Sequence, residues 1–297
     1  MIYSFLTVVW RFNPTFIKIG SFDIRWYGVM WALAIGLGAY FFVRFCKREN
    51  LSPKLADSIF LYGALATIIG ARLGHCFFYE PGYYIANPIK ILAFRDGGMA
   101  SHGAAVGLLI GLWLFSRKNH MPYLWSLDRV MIPVAVGGAL VRLGNLFNHE
   151  IYGHATDKPW GFSFIENTNA WMNGAEPVFS PFSHPTQIYE ALAYLILFAL
   201  LCTMYYRFDA GRKFPGMLFG TGLIGIFLSR FLIEYVKNDQ VDFEADMFLN
   251  MGQWLSIPFI AAGVVMIIYS LRHKNNPATQ PDACTAKKPD RVVPKNK

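Results

Sequence analysis

The sequence predicts an all-α integral membrane protein with about seven spanning helices, and three observations support this. Of the 297 residues, 54% are hydrophobic and only 15% are charged, whereas a soluble domain is usually about a quarter charged. The apolar residues collect in stretches of about 20 residues, the length that crosses a bilayer. The charged residues collect between these stretches. A bilayer is therefore the solvent that this composition fits.

Seven segments meet the requirement for a spanning helix. In chain order they cover residues 27–45, 57–79, 99–116, 127–147, 186–206, 215–236 and 252–271. The segment 148–185 contains two tryptophans and several glycines and prolines but has no comparable apolar run. We therefore expect a single polytopic membrane domain over residues 1–271, with a small extracytoplasmic cap at 148–185.

Lysine and arginine predict the orientation of the helices, because cytoplasmic loops carry an excess of both. The loops 46–56, 117–126 and 207–214, together with the tail 272–297, hold 15 of the 27 lysines and arginines, against 7 in the alternate loops. The N-terminus is therefore expected outside and the C-terminus in the cytoplasm. The basic tail is expected to be disordered and attracted to anionic lipid headgroups.

Composition and spacing argue against several other classes of site. The net charge of +8 is not arranged as a basic patch interleaved with aromatic residues, so no nucleic-acid partner is expected. The stretch HEIYGH at 149–154 places its histidines five residues apart, where two side chains diverge on a helix and cannot share a zinc ion. We expect no metal and no other cofactor.

Small residues recur at four-residue spacing on the second and third segments. Such rows let two helix backbones approach closely. The rows predict that these two helices pack together, and their members are Ala66, Gly70 and Gly74 on the second segment and Gly103, Gly107 and Gly111 on the third.

Arginines inside the apolar segments indicate a functional site, because a charge in hydrocarbon is costly. Three arginines qualify, namely Arg72, Arg142 and Arg230. Asn145 shares a helical face with Arg142, and Glu234 shares one with Arg230. Two arginines at matching depth with one nearby acid leave positive charge over, which fits the phosphate of an anionic headgroup. For Arg230, a purely structural pair with Glu234 is the alternative.

His102 lies at the outer end of the third segment, in the same leaflet as Arg142 and Arg230. Histidine changes charge near neutral pH, which suits a general base. Its alternative is a hydrogen-bonded structural histidine. The sequence contains no recognisable nucleophile of its own beside this base, so we expect the substrate to supply the nucleophile. Tyr27 opens the first segment, either in the site or as an interfacial aromatic residue.

Six motifs occur in order along the chain: IRWYG (24–28), GGMASHG (97–103), RLGNLFNHEIYG (142–153), HPTQIYE (184–190), RFLIE (230–234) and MGQWLSIP (251–258). This series resembles the bacterial prolipoprotein diacylglyceryl transferases. The likeness extends over about residues 20–272, nearly everything but the tail. Several ordered motifs over that length are far more specific than any one of them.

The resemblance implies an enzyme of the bacterial inner membrane, with its active site toward the periplasmic leaflet. Such an enzyme moves diacylglyceryl from phosphatidylglycerol to the thiol of the lipobox cysteine in a prolipoprotein signal peptide, releasing glycerol 1-phosphate. Its partners are therefore expected to be phosphatidylglycerol, these signal peptides and membrane lipids. A transporter of an organic or phosphorylated anion is the alternative, because it would also place arginines among glycine-rich helices.

The resemblance also implies roles for individual residues. Four residues are expected to be catalytic, and Arg142 among them is expected to bind phosphatidylglycerol. The remaining residues are expected to bind or support the substrate. The catalytic set is His102, Arg142, Arg230 and Tyr27, and the binding set adds Asn145, Asn148, Glu150, Gly153 and Glu234.

Overall fold

Helices dominate the secondary structure of the chain. A computed structural model describes residues 7–20, 22–93, 98, 100–237, 248–276 and 281. Its strands are β1 (Val8–Val9), β2 (Thr15–Ile19), β3 (Phe22–Arg25) and β4 (Phe162–Ser163). Its helices are α1 (Trp26–Arg48), α2 (Pro53–Phe78), α3 (Pro81–Ala86), α4 (Ser101–Lys118), α5 (Tyr123–Phe147), α6 (Thr168–Met172), α7 (Thr186–Tyr206), α8 (Ala210–Lys213), α9 (Met217–Ile233) and α10 (Met251–Arg272). Two 3-10 turns follow α3 and α9, at Pro88–Leu92 and Glu234–Val236.

Within the described part of the chain, six helices are long and apolar enough to cross a membrane. They are α1, α2, α5, α7, α9 with its 3-10 turn, and α10. The predicted segment 99–116 corresponds to α4, which begins with Ser-His and ends with Arg-Lys. The predicted class of an all-α membrane protein is confirmed, while the count of seven spans and the orientation stay predictions.

The described residues divide into two compact units. The first unit draws on Met1–Gly38, Met131–Ala210 and Met217–Arg272, and the second on Ala39–Val130, Gly211–Gly216 and His273–Lys297. The single membrane domain predicted for residues 1–271 stays a prediction. Most of the predicted tail, 272–297, lies outside the described residues.

The first unit packs α5, α7 and α9 around a small apolar core. Ala139 of α5 and Ala191 and Tyr194 of α7 are buried together, and Leu143 and Ile226 pack against them. Small residues permit this approach, because an added Cβ at Gly138 would lie 3.0 Å from the Tyr194 ring. This packing brings the polar ends of the three helices together.

Within the first unit, the cap segment 148–185 is held to the N-terminal residues by backbone pairing and by one histidine. Strand β4 pairs in parallel with β1, with Val8 opposite Phe162. His149 has a left-handed backbone with a φ of 58°. Its ring Nδ1 accepts the backbone N–H of Ile165 at 3.1 Å, so its Nε2 donates to the carbonyl of Phe12 at 2.8 Å. Both ring nitrogens of His149 are thus occupied by hydrogen bonds that hold the cap segment in place.

The second unit contains the predicted contact between the two rows of small residues. A Cβ at Gly70 would lie 2.7 Å from Gly107 Cα, and a Cβ at Gly74 would lie 2.7 Å from Gly103 Cα. Carbon atoms that are not bonded to each other normally stay about 3.5–4.0 Å apart. Only glycine therefore fits at these crossing points of α2 and α4, and the predicted packing of these helices is confirmed.

Arg72 has a structural environment within the second unit. Its side chain is 1% exposed. It donates from Nε to the carbonyl of Ile91 at 2.9 Å, and from its terminal nitrogens to those of Lys90 at 2.7 Å and Gly98 at 3.2 Å. Arg72 therefore satisfies the backbone carbonyls of the segment between α3 and α4, which accounts for its burial without an anionic ligand.

Candidate functional site

Five charged side chains meet where α5, α7 and α9 end or begin in the first unit. Arg142 lies near the end of α5, Glu190 in the first turns of α7 and Arg230 near the end of α9. Glu234 and Lys237 follow in and after the 3-10 turn that extends α9. Among these five side chains three cations share two carboxylates, so the group has a net positive charge, while the exposed carboxylate of Glu150 lies outside it, beyond Asn145.

Arg142 is held by neighbours on two helices. Its Nε forms an ion pair with Glu190 Oε2, and the Arg142 side chain remains 18% exposed. One terminal nitrogen donates to Asn145 Oδ1 at 3.3 Å, and the guanidinium also bonds with the Tyr194 side chain. The guanidinium plane is therefore fixed in orientation, as recognition of a phosphate requires.

Asn145 is oriented in turn by Glu150. Its Nδ2 donates to Glu150 Oε1 at 2.8 Å, and the Nδ2 of Asn148 donates to the same oxygen at 3.2 Å. The backbone carbonyl of Glu150 accepts a bond of 2.7 Å from Gln187 Nε2. Because the amide nitrogen of Asn145 is directed at Glu150, the carbonyl oxygen of Asn145 faces Arg142.

Tyr27 lies beside this group at the start of α1. A Cβ at Gly144 would lie 2.8 Å from Tyr27 Cδ2, so the ring packs directly on the backbone between Arg142 and Asn145. The aromatic side chain is half-buried. The structure therefore brings Tyr27 to the same end of α5 as the predicted binding residues.

Gly153 joins three parts of the site. Its N–H donates to the carbonyl of His184 at 2.8 Å, and its backbone pairs with Lys237. A Cβ at this position would overlap the carbonyl oxygen of Val236 and lie 2.8 Å from Thr186 Cγ2. The absence of a side chain thus lets the segment after α5 lie against the start of α7 and the end of α9.

Arg230 does not form the structural pair with Glu234 that its spacing allowed. Glu234 Oε2 lies 3.7 Å from Lys237 Nζ instead. Among the described residues, no carboxylate oxygen lies within 4.0 Å of the Arg230 guanidinium, and its buried Nε has no hydrogen-bond partner. Arg230 therefore carries a positive charge that the described protein groups do not neutralise.

Lys237 is buried among side chains of both charges, and these shift the pKa of its amine. Burial lowers the pKa of this amine, and Arg142 and Arg230 act in the same direction, while Glu190 and Glu234 raise it. Both arginines are thus close enough to act on Lys237. The cluster is cationic, partly desolvated and oriented by polar neighbours, so it is suited to binding one monoanionic phosphate ester.

His102 lies in the second unit, as the second residue of α4, with an exposed side chain. The turn that carries it is fixed on α2, because the Ala100 N–H donates to the carbonyl of Ala71 at 2.9 Å. The structure thus gives His102 a defined backbone position. Its predicted role as a general base stays a prediction.

Three residues of the charged group were not among the predicted site residues, namely Glu190, Tyr194 and Lys237. Glu190 could have been predicted as a site residue, because an acid inside an apolar segment is as costly as an arginine there. Lys237 follows the sixth segment and resembles an ordinary loop lysine in the sequence. Tyr194 lies in an apolar run where a tyrosine is unremarkable.

Apolar helices long enough to cross a bilayer define a membrane protein, and the cations at the ends of two of them form a candidate site for an anion. The sequence profile of the family described as prolipoprotein diacylglyceryl transferase matches residues 14–269. The chain belongs to this family, and the prediction made from its motifs is confirmed.

Relatives of similar length agree with this assignment. The chain is 44% identical over 279 residues to a phosphatidylglycerol–prolipoprotein diacylglyceryl transferase of Porphyromonas gingivalis. The aligned region covers 92% of this chain and 97% of the relative. It is 40% identical to the enzyme of the same name from Chloroherpeton thalassium, covering 89% and 95%. It is 39% identical to that from Tolumonas auensis, covering 89% and 98%.

Proposed function

We propose that this chain transfers diacylglyceryl from phosphatidylglycerol to the thiol of the lipobox cysteine of prolipoproteins. The observation that carries this proposal is the cationic group around Arg142 and Arg230, with a buried Arg230 Nε that has no hydrogen-bond partner. Phosphatidylglycerol presents a phosphodiester with one negative charge. That charge matches the surplus of the five grouped side chains, in which three cations share two carboxylates and from which the exposed Glu150 carboxylate is set apart.

The headgroup is proposed to lie against Arg142, with Arg230 on the same phosphate. Arg142 is suited to this because Asn145 and Tyr194 already fix its plane. A guanidinium held before the ligand arrives loses little freedom on binding. Asn148, Glu150 and Gly153 support this arrangement through the hydrogen bonds and close approach described above.

The proposed reaction exchanges one bond to carbon for another. The substrate thiol gives its proton to His102, and the thiolate sulfur attacks the glyceryl carbon bonded to the phosphate oxygen. The carbon–sulfur bond forms while the carbon–oxygen bond breaks, and its electron pair leaves with glycerol 1-phosphate. Negative charge grows on that departing phosphate, where Arg142 and Arg230 stabilise it in a low-dielectric site. Tyr27 is proposed to orient the headgroup or Arg142.

We further propose an inner-membrane location with the site toward the periplasmic leaflet. The distribution of lysine and arginine between alternate loops supports this orientation. It places the end of α5 and the cap on the side where a secreted prolipoprotein presents its cysteine.

A modification assay tests the function. The purified chain is incubated in phosphatidylglycerol bilayers with a lipobox peptide, and a diacylglyceryl mass gain on the cysteine is expected. His102→Gln and Arg142→Ala should each lower the rate by about 100-fold or more. His120→Gln is the matched control, because His120 is an exposed histidine just beyond the opposite end of α4.

Two results would contradict the proposal. Uptake of a phosphorylated anion into vesicles without any peptide modification would favour the transporter. Near wild-type rates in His102→Gln or Arg142→Ala would remove that residue from its assigned role.

A further inference from the structure

Lys237 is a buried cation to which the proposed reaction assigns no contact with the substrate. Its side chain is only 3% exposed, and its Nζ lies 3.7 Å from Glu190 Oε1 and 3.7 Å from Glu234 Oε2. At that distance the contacts are ion pairs rather than hydrogen bonds. A lysine this buried is costly unless it is paired, so its position between two carboxylates calls for an explanation.

The position of Lys237 is fixed by its backbone and by Glu234. Its N–H donates to the carbonyl of Glu234 at 3.2 Å, and its backbone pairs with Gly153. Glu234 is itself confined, because a Cβ at Gly252 of α10 would lie 2.7 Å from the Glu234 carboxyl carbon. The ammonium group is therefore held next to Glu190 by contacts that involve neither Arg142 nor Arg230.

Glu190 is consequently divided between two cations. Its Oε2 pairs with Arg142 Nε, and its Oε1 faces Lys237 Nζ. A carboxylate with both oxygens available tends to take an arginine through two parallel bonds, which occupies the guanidinium edge that recognises phosphate. The division leaves Arg142 with one carboxylate oxygen instead of two.

We propose that Lys237 is a positioning residue that keeps Glu190 from neutralising Arg142 and thereby preserves the affinity of Arg142 for the lipid phosphate. This inference rests on the proposed function, because it assumes that Arg142 binds phosphatidylglycerol. Lys237 acts through Glu190 and does not touch the lipid. Removing the lysine releases Glu190 to turn fully onto Arg142, where it competes with the phosphate.

A double-mutant cycle tests this inference through the KM for phosphatidylglycerol in the peptide-modification assay. Lys237→Met should raise that KM about tenfold in the wild-type background, and less than about twofold in the Glu190→Gln background. Lys237→Arg keeps the charge and should stay within about threefold of wild type. Thermal unfolding of each variant reports whether it is folded, and Lys237→Gln replaces Lys237→Met if the latter is not.

The outcomes separate the possible roles of Lys237. An equal KM increase in both backgrounds would show that Lys237 binds the lipid directly, and would overturn the inference. A lower folded yield with an unchanged KM would show a purely structural role, and would also overturn it. If the wild-type chain does not modify the peptide at all, the proposed function fails by itself. Thermal stabilisation by phosphatidylglycerol, compared between wild type and Lys237→Met, then still tests the inference.

Discussion

Replacing Gly153 with alanine tests whether the close approach of three segments assembles the site. The new Cβ would overlap the carbonyl oxygen of Val236 and lie 2.8 Å from Thr186 Cγ2, where about 3.5–4.0 Å is the normal separation of carbon atoms. The segment must therefore move by roughly 0.7 Å or more. Overpacking of this kind costs about 1–3 kcal/mol.

The expected loss of activity exceeds this loss of stability. Gly153 donates to the carbonyl of His184 at the start of α7 and pairs with Lys237 after α9. Displacing it moves Glu150 relative to Glu190, and with them the groups that orient Arg142. A misplacement of about 1 Å in a catalytic arrangement can cost about 100-fold in rate.

The assay compares Gly153→Ala with Gly36→Ala for peptide modification and for thermal unfolding in detergent. Gly36 lies in α1, and a Cβ there would meet nothing within 4 Å. Gly36→Ala should therefore retain activity, with stability equal to wild type or higher by about 0.5–1 kcal/mol. If Gly153→Ala kept both its rate and its unfolding temperature, the segment would tolerate the displacement, and the close approach at Gly153 would not be needed to assemble the site.

Three further substitutions probe other parts of the structure by thermal unfolding. Burial lowers the pKa of His149, so the unfolded chain binds the proton more readily and stability should fall as the pH drops below about 6.5; His149→Gln should reduce this dependence between pH 8 and 5, and an unchanged profile would exclude His149 as its source. Arg72→Met leaves three backbone carbonyls without their donor and should cost about 1–3 kcal/mol, so wild-type stability would refute its structural role. Gly107→Ala would place a Cβ against the carbonyl oxygen of Ala66 and should destabilise by about 1–3 kcal/mol, whereas an effect no larger than that of Gly36→Ala would contradict the tight crossing of α2 and α4.

Much of the site was predictable because the bilayer makes polar residues conspicuous. Arg142, Asn145 and Glu150 stood out at the end of an apolar segment, and the structure connects them through hydrogen bonds over three to five residues. The contact of Arg142 with Asn145 follows from helical spacing, whereas Glu150 reaches Asn145 from the segment after the end of α5. The motif series also predicted the family, which the comparisons confirm.

The partners of the arginines could not be read from spacing. The helical period allowed Arg230 to pair with Glu234, yet Glu234 pairs with Lys237. Arg72 had the same sequence signature as Arg142, but its guanidinium binds three backbone carbonyls from a later segment. Both outcomes depend on how the chain packs beyond a single helix.

The membrane class, the family and the choice of Arg142 and Arg230 as candidate site residues follow from the sequence alone. Those properties depend on composition, on runs of about 20 apolar residues and on ordered motifs, all of which are local to the chain. The placement of Glu190 between Arg142 and Lys237, by contrast, follows from the packing of the helices. Which charges neutralise one another depends on distances between helices, and helix packing sets these distances through contacts between residues far apart in sequence.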